Sequence, residues 1–328
     1  MTQPGRSGID HGIVMLLCTL GAFVILEFLI VSGVINPYFH SIMCYAGIVV
    51  ISALGLNLIY GYTGQFSLGH AAFYGIGAYT AALVTRTISL KALWVLPLGL
   101  IAGGLAAGVI ALLIGLPILR LKSDYLGIAT LGFGMIINVL FKNSDKVIKN
   151  MGGAAGMRGI EKLTTFPWVF LFWVLGIIVM RNLVFSGVGR ALISIREDEL
   201  AAEAVGVNAT RYKTLGFIIG CVFAGVAGGL YAHLYTYLNP DNFDFLKSID
   251  VLLIVVIGGL GSISGTIIAG TGWAFLLEGL RVILPSTIQE WRMVVYPLIL
   301  IVIMLFRSGG IMGRGEFSFL KPPEYRQK

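Results

Sequence analysis

Charge is scarce in this sequence. Asp, Glu, Lys and Arg make up 12% of its 328 residues, against 57% hydrophobic residues and a mean hydropathy of +0.90. A soluble chain of this size carries about a quarter charged residues, so an ordinary cytosolic or secreted domain is excluded. Cysteine is also sparse. Cys18, Cys44 and Cys221 lie far apart within apolar runs, without the C-x-x-C spacing of a redox or metal site, and read as packing residues. Nucleotide-binding G-x-x-x-x-G-K-[ST], zinc-binding H-E-x-x-H and the G-x-S-x-G elbow are all missing. His11, His40, His70 and His233 are dispersed along the chain. No catalytic residues, metal or cofactor are therefore expected.

What is present is long apolar sequence. Runs recur at about 12–35, 41–60, 66–85, 92–118, 124–141, 166–186, 213–237, 249–260, 263–284 and 291–306. Each must be helical, because hydrocarbon offers no partner to an open backbone group. The expectation is a single all-α domain over 1–328, a polytopic transmembrane bundle of about ten spans with broken or Gly-rich helices. The 24-residue run 12–35 is too long for a signal-peptide core and is expected to be a retained span. Two runs, 124–141 and 249–260, fall short of a full crossing and are expected to be re-entrant or broken.

The excess of 23 Lys and Arg over 16 Asp and Glu gives a net charge of +7. In a lipid-embedded chain this fits loops and anionic headgroups better than nucleic acid. A ten-span model puts thirteen of the basic residues on the side of the termini, which favours cytoplasmic termini and a cytoplasmic tail over 307–328. Lys142, Lys146, Lys149, Arg158 and Lys162 dissent, since they fall in a loop placed outside.

Small residues recur every four positions at Gly216, Gly220, Ala224, Gly228 and Ala232, and again at Gly99, Gly103 and Ala107. Such stripes let helix backbones approach closely, so both helices are expected inside the bundle. Gly61 to Ser67 and Gly258 to Ser264 share the frame G-x-x-G-x-x-S, each downstream of an Asn-Pro pair at Asn36-Pro37 and Asn239-Pro240. Gly-interrupted segments at matching places in two halves point to a translocation site. Within 56–84, Gly64, Gln65, Ser67, Gly69 and His70 crowd together between apolar flanks. A helix broken beside a wet cavity accounts for them, and a tight turn at the membrane face is the plainer alternative. With Gly261 and Ser264 they form the candidate pathway set.

Two acids lie deep in apolar runs. Glu278 has Arg281 on the same helical face, whereas Glu27 needs a partner from another helix or subunit. The polar loop 187–213 reads differently. Ser194 and Glu197 have capping-box spacing, Glu197, Asp198 and Glu199 favour a helix N-terminus, and Gly206 is placed to stop the helix. A short cytoplasmic helix of about three turns follows. Ile195, Leu200, Ala201 and Val205 on its surface suit docking into a groove of a soluble partner.

LNLIYGYTGQFSLGHAAFYGIGAYTAALV, ISIREDELAAEAVGVNATRYKTLGF and DVLLIVVIGGLGSISGTIIAG together resemble the permease subunits of bacterial high-affinity branched-chain amino-acid ABC transporters, of the LivM type. The likeness runs from about residue 36 to 306. It implies a transport subunit in the bacterial inner membrane, pairing with a second homologous permease, two cytoplasmic ATP-binding subunits and an extracytoplasmic solute-binding protein. Leucine, isoleucine and valine are the implied cargo, with urea or another small polar solute as the alternative within the family. Arg196, Glu197, Asp198, Glu203, Ala204 and Gly206 match the loop that touches the ATPases, and Gly64, Gln65, Ser67, Gly69 and His70 match the amino-terminal motif. Met135 and Asn138 depart from the acidic and basic residues expected after Thr130-Leu131-Gly132-Phe133-Gly134, and Met151 to Gly156 stands where a Thr- and Gly-rich motif is expected. The rival outside the family is an ion-driven secondary carrier.

Overall fold

The computed structural model describes residues 23–88, 92–119, 123–148 and 151–283, with isolated positions at 19 and 21 and between 298 and 321. The described residues form a helical bundle, with no strand beyond a single bridge between Met157 and Leu238. Residues 23–31 are helical. Then come α1 (Pro37–Leu56), α2 (His70–Thr87), α3 (Ala92–Ile118), α4 (Ser123–Lys142) and α5 (Phe166–Val184). The remaining helices are α6 (Gly187–Glu197), α7 (Glu199–Ala204), α8 (Ala209–Tyr235), α9 (Phe245–Gly258) and α10 (Ile263–Ile283). Five of these are long and apolar enough to cross a membrane: α1 with its extension to Tyr62, the Trp94–Ile118 part of α3, the Tyr125–Lys142 part of α4, α5 and α8. Most of the run 291–306, the start of the run 12–35, and Cys18 and His11 lie outside the described residues.

Local chemistry sets the helix ends. Pro37 occupies the first turn of α1, where its missing N–H costs nothing, and Asn36 accepts the Tyr38 N–H at 3.2 Å. The second Asn-Pro pair behaves alike, Asn239 accepting the Asp241 N–H at 3.1 Å ahead of a 3-10 turn that leads into α9. α4 is an unbroken helix of 20 residues, which corrects the expectation of a broken or re-entrant segment at 124–141. Its helix begins at Ser123 and continues through Lys142, so the apolar run understated its length. α9 is indeed short, 14 residues ending at Gly258.

α1 and α8 form the centre. α8 packs against α1, α2 and α3, and α1 also meets α5 and α10. The small-residue stripe is what makes this possible. A Cβ on Gly220 would strike the carbonyl of Gly55, and one on Gly228 would strike the carbonyl of Tyr74. Ala224, Ala232 and Ala107 are fully buried along the same seams, and Gly103 faces the Gly77 carbonyl. Backbones this close gain dispersion contact that lipid cannot replace. Cys44 and Cys221 are buried and unbridged, as packing residues should be.

The bundle has two distinct ends. At one, Met157 and Leu238 exchange backbone hydrogen bonds, Lys142 pairs with Asp241 at 2.7 Å, and Asn138 donates to the Pro240 carbonyl at 2.7 Å. At the other lie the breaks after α1 and α9, the α6–α7 segment and the returning residues 309–317.

Candidate functional site

Both G-x-x-G-x-x-S frames fall at helix breaks, at the same end of the bundle. α1 continues as a π-helical turn over Asn57–Tyr62, the chain is irregular from 63 to 69, and α2 starts at His70. α9 stops at Gly258 and α10 starts at Ile263. Gly64 and Gly261 hold the same place in the two frames, and both have positive φ, +74° and +83°. That region is open to glycine at little cost and to other residues only with strain.

The breaks are stitched together. Asn57, buried at the end of α1, accepts the Gly261 N–H at 2.9 Å and donates to the Ser262 carbonyl at 2.9 Å and Thr266 Oγ1 at 2.8 Å. One amide thereby satisfies three groups that the second break would leave open. Glu316 completes α10: its carboxylate accepts the N–H groups of Ile263 and Ser264 and the Ser264 hydroxyl, and also the Tyr62 hydroxyl at 3.2 Å. An anion is favourable at that helix terminus. The α9 carbonyls of Ile257 and Gly258 receive the N–H groups of Ile311 and Met312. The described part of 307–328 is therefore folded back onto the second break.

Arg196 sits between the two frames. Its Nη1 donates to the Gly61 carbonyl at 2.5 Å and its Nη2 pairs with Glu197 at 2.6 Å. A Cβ on Gly64 would lie 3.0 Å from Arg196 Cγ, and one on Gly261 2.9 Å from its Nη1. The Arg196 side chain thus packs against both glycines, its aliphatic stem on Gly64 and its guanidinium on Gly261. Arg196 and Gly64 line a notch on that end of the bundle with Tyr60, Gly61 and Leu260.

The α6–α7 segment differs from the single capped helix expected of it. Ser194 lies inside α6 and turns its hydroxyl back to the Ala191 carbonyl at 2.8 Å; the cap of α6 is Ser186. Asp198 leaves helical geometry and accepts the Ala201 N–H at 3.0 Å, so it caps a second helix, α7. A short carboxylate at the cap outcompeted the capping-box spacing. Gly206 does end the helix, with φ +88°. Ile195 is buried with Ala202 and Ala209, which removes it from the docking surface. Leu200 and Val205 stand 79% and 80% exposed, next to exposed Glu203 and Ala204. Lys213 pairs with Glu199 and anchors α7 to α8.

The candidate pathway residues divide into two groups. Gly64 and Gly261 both lie against the Arg196 side chain. Ser264 is committed to Glu316 and to the Phe317 N–H, so its hydroxyl serves the helix end. Gly69 abuts the Thr130 backbone, while Ser67 is buried. Gln65 is 3% exposed, and among the described residues neither of its side-chain polar atoms has a hydrogen-bond partner. His70 points away from the notch into the bundle, with Nε2 3.0 Å from the Ser52 carbonyl. Glu278 meets the Tyr38 hydroxyl at 2.9 Å, and the side chain of Arg281 lies outside the described residues. Glu27 finds no hydrogen-bond partner for its buried oxygen among the described residues. No cluster of three or more His, Cys, Asp or Glu able to hold a metal occurs among them either. Asn57 and Glu316 were not anticipated. Asn57 carries the same signal as Gln65, an amide inside an apolar run, while Glu316 sits in a polar tail with nothing to mark it.

Comparison with known proteins agrees with this architecture. Residues 38–304 match the family model described as the permease component of branched-chain amino acid transport systems. The LivM permease protein of the high-affinity branched-chain amino acid transport system of Salmonella typhimurium is 34% identical over 81% of this chain and 68% of its own length. Its Escherichia coli counterpart gives the same figures, and BraD of Pseudomonas aeruginosa is 26% identical over 80% of this chain and 91% of its own. No solved structure matches. The chain is a helical integral membrane protein and belongs to the branched-chain amino-acid transport permease family, in its LivM-type branch.

Proposed function

We propose that this chain is the pathway-forming subunit of an ATP-driven importer of branched-chain amino acids in the bacterial inner membrane, with the Arg196 end facing the cytoplasm. It works with a second homologous permease, two ATP-binding subunits that carry out hydrolysis, and an extracytoplasmic solute-binding protein. The single observation that carries this reading is Arg196, which joins the segment bearing Leu200 and Val205 to the backbones of both helix breaks. A displacement of α7 by an ATPase would be delivered to Gly61 and Gly261 through the Arg196 guanidinium and to Gly64 through its aliphatic stem. Arg196, Glu197, Asp198, Glu203, Ala204 and Gly206 form the coupling segment within the cytoplasmic loop 187–213.

Gly64, Gln65, Ser67, Gly69, His70 and Gly261 border the route of the solute. The unpartnered Gln65 amide supports this, because a buried polar group without a partner persists where a ligand or water completes it. Ser264 belongs to the same break, holding it in shape through Glu316. The test is leucine uptake by the reconstituted complex. Vanadate should abolish it; uptake that survives vanadate and follows an ion gradient would overturn the reading in favour of a secondary carrier.

A further inference from the structure

α9 carries two ionisable side chains, Lys247 and Asp250, each half-buried where the helix faces the bundle. Lys247 and Asp250 lie one turn apart and line a cavity closed by α1, the start of α2 and α10. Charges inside a membrane bundle are costly and mark functional positions. Here neither quenches the other, since no ion pair within 4.0 Å joins them. Lys247 Nζ donates to the Tyr45 hydroxyl at 2.8 Å, and among the described residues no hydrogen bond reaches the Asp250 carboxylate. Deeper in the cavity, Ser52 Oγ and His70 Nδ1 have no hydrogen-bond partner among the described residues, and these residues are 2% and 1% exposed. Ser52 is nine residues before Gly61, about 13 Å along α1 from the notch. The rest of the wall is Val49, Ala71, Val251 and Ile254 together with the rings of Tyr74 and Trp273.

We infer that this cavity is a recognition subsite for a zwitterionic aliphatic α-amino acid. Lys247 takes the carboxylate, Asp250 takes the ammonium, and the side chain lies along Val49, Val251 and Ile254. Ser52 and His70 supply further hydrogen bonds to the head group. An amine or a carboxylic acid alone satisfies one of the two charges, while a zwitterion satisfies both. The space open to water is about 10 Å³, room for one water molecule. This is accordingly the closed form, and solute enters as α9 moves away from α1. The inference rests on the proposed role of the chain as an amino-acid permease subunit.

The test uses the complete transporter in vesicles with radiolabelled leucine, comparing Lys247→Met and Asp250→Asn with the charge-conserving Lys247→Arg and Asp250→Glu. Leucine accumulation and ATP hydrolysis are read together. The neutral variants should lower accumulation at least tenfold, with hydrolysis stimulated by the loaded binding protein staying within twofold of wild type. The charge-conserving variants should recover most of the loss. Unchanged accumulation in the neutral variants overturns the subsite, as does a fall of hydrolysis in step with uptake. A wild-type assembly that hydrolyses ATP but accumulates no leucine overturns the amino-acid permease reading itself, whereas normal wild-type uptake with indifferent variants removes the subsite alone.

Discussion

Arg196 and Gly61 are 135 residues apart in sequence and 2.5 Å apart between guanidinium Nη1 and carbonyl oxygen. The bond ties α6 to the π-helical extension of α1, the most buried of the five candidate spans. Removing the fork should therefore uncouple before it unfolds. Arg196→Ala is expected to reduce solute uptake at least tenfold while ATP hydrolysis by the assembled complex continues. Arg196→Lys should fall between, because an ammonium keeps the charge without the planar fork. Parallel measurement of uptake and hydrolysis checks this.

Leu200 and Val205 are exposed beside Glu203 on the same short segment. Leu200→Asp combined with Val205→Asp should abolish co-purification of the ATP-binding subunits while leaving the chain inserted in the membrane. Glu203→Lys should leave insertion intact and uncouple transport; normal uptake in that variant would remove it from the coupling segment.

Gln65 and Ser67 border the break without belonging to the helix packing. Alanine at either position is expected to slow uptake, with solute capture by the extracytoplasmic binding protein unaffected. Equilibrium binding to the isolated binding protein and uptake by the whole complex separate the two effects.

Gly228 lies against the Tyr74 carbonyl, while Gly132 has no atom within 4 Å of where a Cβ would be. Gly228→Leu should destabilise the bundle by about 1–3 kcal/mol through overpacking. Gly132→Ala should be close to neutral. Thermal unfolding of the detergent-solubilised protein distinguishes them.

Asn57 holds three groups of the second break. Asn57→Leu leaves the Gly261 N–H and the Ser262 carbonyl without that partner, at a cost of about 1–3 kcal/mol per buried group. Hydrogen exchange at Gly261 should rise well ahead of that in α8.

The helical bundle was legible because hydrocarbon permits few alternatives, and the two glycine stripes announced where backbones would touch. The shared frame around Gly64 and Gly261 predicted paired interruptions, and the equal sign of their φ angles gives that likeness a geometric basis. Contacts that bridge distant sequence were out of reach. Nothing in the order of residues says that Asn57 meets Gly261 or that Glu316 caps α10, since each depends on how α1 and α10 pack. Ser194 misled for a local reason: two caps competed four residues apart, and the Asp198 carboxylate won. Lys247 and Asp250 stand at the start of an apolar run and drew no notice in the sequence; their common cavity with Ser52 and His70 needed the fold.

The length of α9 has a consequence for the surrounding lipid. Fourteen residues rise about 21 Å, some 9 Å less than a typical hydrocarbon layer. α9 is not among the five helices long enough to cross by themselves, so hydrocarbon that reached its end would leave the last carbonyls open. The N–H groups of Ile311 and Met312 fill two of them, and the returning chain thus stands in for the missing turn.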